Sequence, residues 1–427
     1  MTAKEILPQV TPKPKFDGWF IVAMLFLCYS ATTISTNSLP FFFPELMKEF
    51  GWKHAQVVQP ASFYFIYIAV FSPIIGILPT KFSPKILMFT GMVLSLGCTL
   101  SFAFMQSYLQ LHLIYLVFSL AITMCGLLSC MVIISNWFQQ KRGLATGIFL
   151  VGSSAGNIIF PQIAAYLTPL YGWRTAAIGI AVLGATMSFI PWIFIKNTPE
   201  EVGQARDGIA SDTLAATNES KSSNAPQSAT FDLRALFKTP VFYLLLFITA
   251  AFWFCGFGVL QNLRLYLTDY GFSIQRAANI GGLFSMFSII GKISFGYLSD
   301  RFNKMNILLL ATVGLICGVV SLKLVSINTN FAYLYAICYG VGYSGAFAMI
   351  QLTVAEMYKG EAFKKTLGVV SSFDSVGGFA GVALMGYLRT QDGNYNNATS
   401  LLLGVCVGAF VLAIVLRQLR KKTPVML

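Results

Sequence analysis

PEEVGQARDGIASDTLAATNESKSSNAPQSAT, residues 199–230, is the long stretch of this chain that cannot bury apolar surface. Its Ser, Asn, Ala and acidic residues give up too little to water to offset the entropy of ordering, so it reads as a flexible linker. On both sides of it the chain is apolar: of 427 residues 56% are hydrophobic and 11% charged, against about 25% charged in an ordinary soluble domain. A hydrocarbon layer about 30 Å thick needs about 20 apolar residues per helix. The chain supplies six such segments before the linker, near 18–41, 55–79, 85–106, 110–136, 143–168 and 173–196, and six after it, near 239–267, 275–299, 304–326, 330–357, 364–389 and 396–419. The expected fold is an all-α membrane protein of twelve transmembrane helices in two six-helix bundles. Its parts are a tail 1–17, a first bundle 18–196, a linker 197–238, a second bundle 239–419 and a tail 420–427.

Lys and Arg collect on one side of this arrangement. Lys13, Lys15, Lys81, Lys85, Lys141, Arg142, Arg301, Lys304, Lys359, Lys364, Lys365 and the cluster from Arg417 to Lys422 share the side of the linker and its own basic residues; Lys48, Lys53, Arg174, Arg264, Arg276, Lys323 and Arg389 lie opposite. Because positive loops stay inside, both termini and the linker are expected in the cytoplasm. The first apolar run, from Gly18, is too long for a signal-peptide core and lacks a small-residue cleavage site, so it should remain as the first span.

Several function classes drop out. The formal charge of +13 sits in short clusters between apolar segments and builds no basic patch with interleaved aromatics, so nucleic acid is not an expected partner. The eight cysteines all fall in apolar segments without CxxC spacing and read as reduced packing residues. His54 and His112 lie near helix ends and belong to no metal cluster, and no phosphate-binding G-x-x-x-x-G-K-S/T loop or nucleophile arrangement is present. No cofactor, no metal and no enzyme activity are expected.

Two residues interrupt otherwise spanning segments: Lys292 and Asp374. A Lys or Asp at the centre of a spanning helix costs roughly 2.5–3.5 kcal/mol on an insertion scale, so each needs a partner or a task. Lys292 lies eight residues from Asp300 at the end of span eight, roughly 12 Å of helix rise. Gly281, Ser285, Ser288 and Lys292 follow spacings of four, three and four and share a face, with Leu283, Phe284, Phe287 and Ile290 largely on others. On span eleven Ser371, Asp374, Ser375 and Gly378 form a similar polar stripe at a similar depth. In span five Gly143, Gly147, Gly152 and Gly156 form two G-x-x-x-G pairs that permit close helix approach.

Twelve spans around a central loop resemble the major facilitator superfamily, and two loops carry that resemblance. Gly296-Tyr-Leu-Ser-Asp300-Arg301-Phe-Asn-Lys304 is similar to the family's G-x-x-x-D-R-x-G-R/K loop; at the equivalent place after span two, Gly76-Ile-Leu-Pro-Thr80-Lys81-Phe-Ser-Pro-Lys85 has Thr80 where an acid is expected. Asp17-Gly18-Trp19 and the stretch from Trp137 to Gly156 resemble signatures of the monocarboxylate transporter family and its bacterial relatives, including the oxalate/formate antiporter. The resemblance implies a gate at the linker side resting mainly on Asp300 and Arg301, with Lys141 and Arg142 beside it.

It also implies a site. The family places a substrate-binding cation, usually Arg, where Lys292 stands; a Lys is a compact point charge without the planar fork. The antiporter's second cation on span eleven corresponds to Asp374, and the Lys that animal carriers hold on span one corresponds to Asn37. One cation and one acid suit a monoanion moved with a proton, with Asp374 as the proton-coupling group. Ser288, Asn37, Tyr343, Tyr339, Asn157 and Tyr64 are the expected substrate contacts, with Tyr67 and Tyr115 as further residues of the first half. The hydroxyls of Thr32, Thr33, Ser35 and Thr36 either bind substrate or bond the preceding helical turn. The expected function is symport of a small organic anion, a monocarboxylate, with a proton by alternating access, working as a monomer in a bacterial cytoplasmic (inner) membrane. Alternatives are an anion antiporter or a proton-driven exporter of a solute such as a siderophore or drug.

Overall fold

The computed structural model describes residues 16–34, 38–208, 237 and 239–422. Ser35, Thr36 and Asn37, the tails 1–15 and 423–427, and the linker residues 209–236 and 238 lie outside the described residues. Among the described residues the regular structure is helical, with ten helices long and apolar enough to cross a membrane. One of them, Arg142–Phe194, would be about 80 Å long at 1.5 Å per residue, more than twice a hydrocarbon core. It is broken at Gly172, whose φ of 79° is left-handed, and so supplies spans five and six. Spans two and three are His54–Ile77 and Pro84–Ala103. Spans seven to twelve are Pro240–Asp269, Ile274–Arg301, Lys304–Leu324, Phe331–Met357, Gly360–Asp392 and Asn396–Lys422.

Three segments differ from expectation. The α-helix of span one covers Gly18–Ala31, after which Thr32 and Thr33 donate their hydroxyls to the carbonyls of Tyr29 and Ser30 (2.7 and 2.9 Å); past residues 35–37 come two further helices, Leu39–Phe42 and Phe43–Phe50. Span four is two helices, Tyr108–Cys125 and Leu127–Trp137, because Gly126 takes a non-helical conformation in which a Cβ would lie 2.5 Å from the Ile122 carbonyl oxygen. The third is the start of the linker. Residues 197–208 form a strap: Asn197 accepts from the Ser83 hydroxyl and the Lys85 amide (3.1 and 3.0 Å), and Gln204 exchanges two hydrogen bonds with Asp17 (3.0 and 2.9 Å). Asp207, left-handed at φ 57°, accepts the amides of Gln139, Gln140 and Lys141 at 2.8, 2.8 and 3.3 Å. Asp tolerates that conformation better than most residues, and three satisfied amides explain why polar sequence is ordered here.

Large apolar side chains such as Phe247, Ile290, Ile193 and Val70 are exposed around the outside, the face a spanning helix offers to lipid. The chain is a multi-pass membrane protein. Small residues let helices before and after the linker meet along two seams. In the first, span five lies on span eight: a Cβ on Gly147 would sit 2.5 Å from the Lys292 carbonyl oxygen, and one on Gly296 the same distance from that of Gly143. In the second, span two lies on span eleven, with Gly76 and Gly368 backbone to backbone and Ser372 donating to the Ala69 carbonyl (2.5 Å). The second G-x-x-x-G pair, Gly152 and Gly156, packs instead on Phe26 and Ser30 of span one. Both seams lie toward the end that carries the strap, called here the linker end.

Candidate functional site

Between the seams and the opposite end lies a cavity of about 400 Å³. It reaches from Ser72 and Leu128 up to Gln261 and Gly281, and residues from both sides of the linker line it. Among the described residues on its wall Lys292 is the one that carries a charge. Lys292 is 5% exposed, whereas Ile290 and Ile293 beside it are 46% and 38% exposed, so the helical phase of span eight turns the ammonium inward and the aliphatic residues outward. Its Nζ donates to the hydroxyls of Ser153 and Ser154 at 2.9 and 2.7 Å. An ammonium has three N–H donors and these serines take two. Charge-assisted bonds to neutral hydroxyls orient the cation while leaving its charge uncancelled.

Gly281, Ser285 and Ser288 line the cavity with Lys292, as their spacing required; Phe284, expected on another face, is 6% exposed and lines it as well. Its position three residues after Gly281 and eight before Lys292 puts it on the same stripe, so the assignment to a separate face is corrected. Ser288 accepts a 2.6 Å bond from Ser344 of span ten. Tyr343, Tyr64 and Asn157 are on the wall. Tyr339 is not: fully buried, it donates to the Cys255 carbonyl at 2.7 Å and holds span ten to span seven. Tyr115 is buried against Tyr64.

Asp374 is 1% exposed and does not reach the wall, although its neighbours Ser371 and Ser375 do. It shares a face with Gly377 and Gly381, whose missing side chains let span eleven lie against Ala250 and Phe254 of span seven. The Thr249 hydroxyl beside the carboxyl is given to the Leu246 carbonyl at 3.0 Å, and neither carboxyl oxygen receives a well-formed hydrogen bond. Lys292 and Asp374 are therefore not an ion pair in this conformation: one is held by serines of span five, the other packs on span seven.

Sequence reasoning missed Ser153 and Ser154, although the Gly152-to-Gly156 stretch frames them, because a partner 138 residues away leaves no spacing signal. It also missed Trp253 and Phe257 on span seven, which line the cavity one turn apart.

The sequence profile of the Major Facilitator Superfamily matches residues 25–381. The chain belongs to the major facilitator superfamily. Relatives include monocarboxylate transporter 13 of Rattus norvegicus, 27% identical over 93% of this chain and 87% of that protein. A gallate transporter of Pseudomonas putida is 24% identical over 77% of this chain and 76% of its own. The MFS-type transporter pynF of Aspergillus niger is 27% identical over 61% of this chain, a match that spans 55% of that protein. In fold the chain is similar to the Escherichia coli fucose:proton symporter FucP, with a TM-score of 0.68 at 15% identity, over 94% of this chain and 99% of that one. A member of this superfamily is a transporter and not an enzyme.

In this superfamily member the linker end is closed by named contacts. Asp300 accepts the amides of Gly143 and Leu144 at 2.7 and 2.8 Å, capping span five from span eight. A helix N-terminus leaves its first amides unpaired and favours an anion there. Arg142 donates to the Ala355 carbonyl at 3.0 Å. Arg301 does not cross the seam: it lies 4.5 Å over the Tyr297 ring of its own helix. The amide of Lys141 belongs to the Asp207 cap. After span two, Thr80 donates to its own Ile77 carbonyl (2.7 Å), and Lys364 from span eleven bonds the Pro79 carbonyl at 2.9 Å where the sequence lacks an acid.

Proposed function

We propose that the protein moves a small organic anion, a monocarboxylate, together with a proton by alternating access. The observation that carries this reading is the cavity wall on which Lys292 is unopposed by any acid among the described residues. An ammonium held by two neutral hydroxyls has a third donor and a full charge to offer, and a carboxylate supplies both. A dianion would need a second cation on the wall.

Lys292, Gly296 and Asp300 are spaced four apart, so one stripe of span eight both meets the substrate and faces span five. In the proposed cycle the substrate draws the ammonium from Ser153 and Ser154, which removes one cross-seam contact above the Gly147–Gly296 approach and the Asp300 cap. Asp374 takes the proton. It is buried against span seven without a counter-charge, so a proton there changes what that packing must hold. With the linker placed in the cytoplasm by the Lys and Arg bias, the cavity faces the opposite side and Asp300 with Arg142 forms the cytoplasmic gate. The names of relatives, monocarboxylate transporter 13 and gallate transporter, agree with an organic acid as cargo. Ser288, Tyr343, Tyr64 and Asn157 surround it, and the protein acts as a monomer in a bacterial inner membrane.

Uptake of labelled carboxylates into proteoliposomes, with and without an inside-alkaline gradient, tests this reading. Gradient-stimulated uptake of at least one monocarboxylate is expected. Its absence across a panel of monocarboxylates sinks the proposal.

A further inference from the structure

Seven aromatic rings form an unbroken arc along the cavity wall. Phe284 of span eight faces Tyr343 (centroids 6.4 Å), Tyr343 faces Phe347 (6.4 Å), and Phe347 meets Trp253 (5.7 Å). Trp253 stacks on Phe257 (4.9 Å, 25° between planes), Phe257 meets Phe65 (4.9 Å), and Phe65 meets Tyr64 edge-on (5.7 Å). All seven line the cavity. The arc crosses between the parts of the chain before and after the linker at Phe257 and Phe65. Phe284 lies eight residues from Lys292, roughly 12 Å toward the opposite end, so a charged floor and an aromatic wall share one cavity.

We infer that the carried anion is a ring-bearing monocarboxylate, with its carboxylate on Lys292 and the flat body against this arc, and not a two- or three-carbon acid. The inference rests on the anion reading above and names its substrate class. Size is the first argument. At about 30 Å³ per water, 400 Å³ is the space of roughly thirteen waters. A six-atom acid displaces about three or four of them, and a ring acid of nine or ten heavy atoms about five or six. Chemistry is the second. A short hydrophilic acid leaves the rings against water, whereas a planar ring removes apolar area from water on both partners and finds edge and offset partners along the whole arc. Third, a wall with one cation and no acid suits a single carboxylate joined to an apolar body.

The test is titration calorimetry on the purified full-length protein in detergent, with acetate, lactate, benzoate, cyclohexanecarboxylate and benzamide as ligands. Benzoate is expected to bind at least about tenfold tighter than acetate or lactate, cyclohexanecarboxylate between them, and benzamide without measurable heat. Trp253→Leu and Phe257→Leu, each checked by its thermal melt, are expected to narrow the benzoate-to-acetate ratio by roughly twofold to tenfold. If a variant does not melt as the parent does, the ligand panel on the parent decides alone. Acetate binding as tightly as benzoate overturns the ring inference and leaves the anion reading standing. No binding by any carboxylate, or benzamide equal to benzoate, overturns both.

Discussion

Lys292→Met separates the two roles a buried charge can have, because methionine keeps much of the apolar stem and removes the ammonium. In the parent the Nζ makes two hydrogen bonds, at 2.9 and 2.7 Å, to Ser153 and Ser154. Loss of a partner is severe when it strands a buried polar group, but Ser153 already donates to the Leu150 carbonyl at 2.8 Å and Ser154 lines the cavity, where water can take the place of the ammonium. The fold should therefore tolerate the change, and removing a desolvated charge offsets much of what the lost bonds contributed. Binding is different. A hydrogen bond to a charged group is worth about 1.5–3 kcal/mol, and at about 1.4 kcal/mol per decade its loss weakens the anion roughly 10- to 150-fold. Lys292→Arg restores the charge as a longer, planar group in place of a point charge, and should recover part of the affinity. The assay pairs thermal melts with titration of benzoate and lactate on each variant. A Met variant that melts like the parent and still binds both anions with parental affinity would refute the role given to Lys292.

Asp374→Asn, nearly isosteric in its packing against span seven, should abolish accumulation driven by a pH gradient while counterflow exchange persists; accumulation at the parental level removes Asp374 from proton coupling. Asp300→Ala strips the cap from Gly143 and Leu144, and at about 0.5–2 kcal/mol per cap it should shift the population toward an open linker end roughly twofold to thirtyfold, read by spin-label distances across spans five and eight; unchanged distances would count against the cap as a gate. At the opposite end Arg174, by its hydrogen bond, holds the Glu49 carboxyl below the ordinary glutamate range. A lowered value means that this contribution is present above the unfolded-state range and is lost as pH falls through the folded-state value. The stability gap between the parent and Glu49→Gln should thus be present at neutral pH and close in acid, and a gap independent of pH in melts from neutral to acid contradicts the pairing.

How much of this was legible in the sequence follows from what each feature depends on. Hydropathy sufficed for most of the spans, because every backbone polar group in a bilayer must be paired within its own helix. The end of the α-helix at Ala31 and the break at Gly126 were not legible, since a glycine or a pair of threonines in an apolar run reads the same whether or not the helix continues. Lys292 was legible as an anomaly and its stripe as a spacing, but the serines that hold it were not, because they lie on another span. Asp374 shows the limit of depth as a guide: equal depth on two helices does not place two side chains in one cavity, and the Gly377 and Gly381 face, visible in the sequence, is what turns this acid toward span seven.

The two seams have the same glycine construction and different electrostatics. Along spans five and eight the glycine contacts lie between Lys292, bonded to Ser153 and Ser154, and Asp300, bonded to two amides. Along spans two and eleven Gly76 and Gly368 lie between Ser372, which donates to the Ala69 carbonyl of span two, and Lys364, which donates to the Pro79 carbonyl just after it. An arriving anion can exchange partners with the first seam, where a cavity-lining cation is the rung, but has no such rung on the second. The second seam must then part because the first does, and the two differ in what a methyl group would do to transport. Gly147→Ala puts a Cβ 2.5 Å from the carbonyl oxygen of Lys292 itself. It should prevent closure at the linker end and alter anion affinity together, since one residue carries both contacts. Gly368→Ala, with a Cβ 2.6 Å from the Ser72 carbonyl oxygen, should hinder closure and leave the arrangement of Lys292 intact. Gly97→Ala meets nothing within 4 Å and is the control. Equal effects of Gly147→Ala and Gly368→Ala on the ratio of binding to transport would show that the charge on the first seam plays no part in closing it.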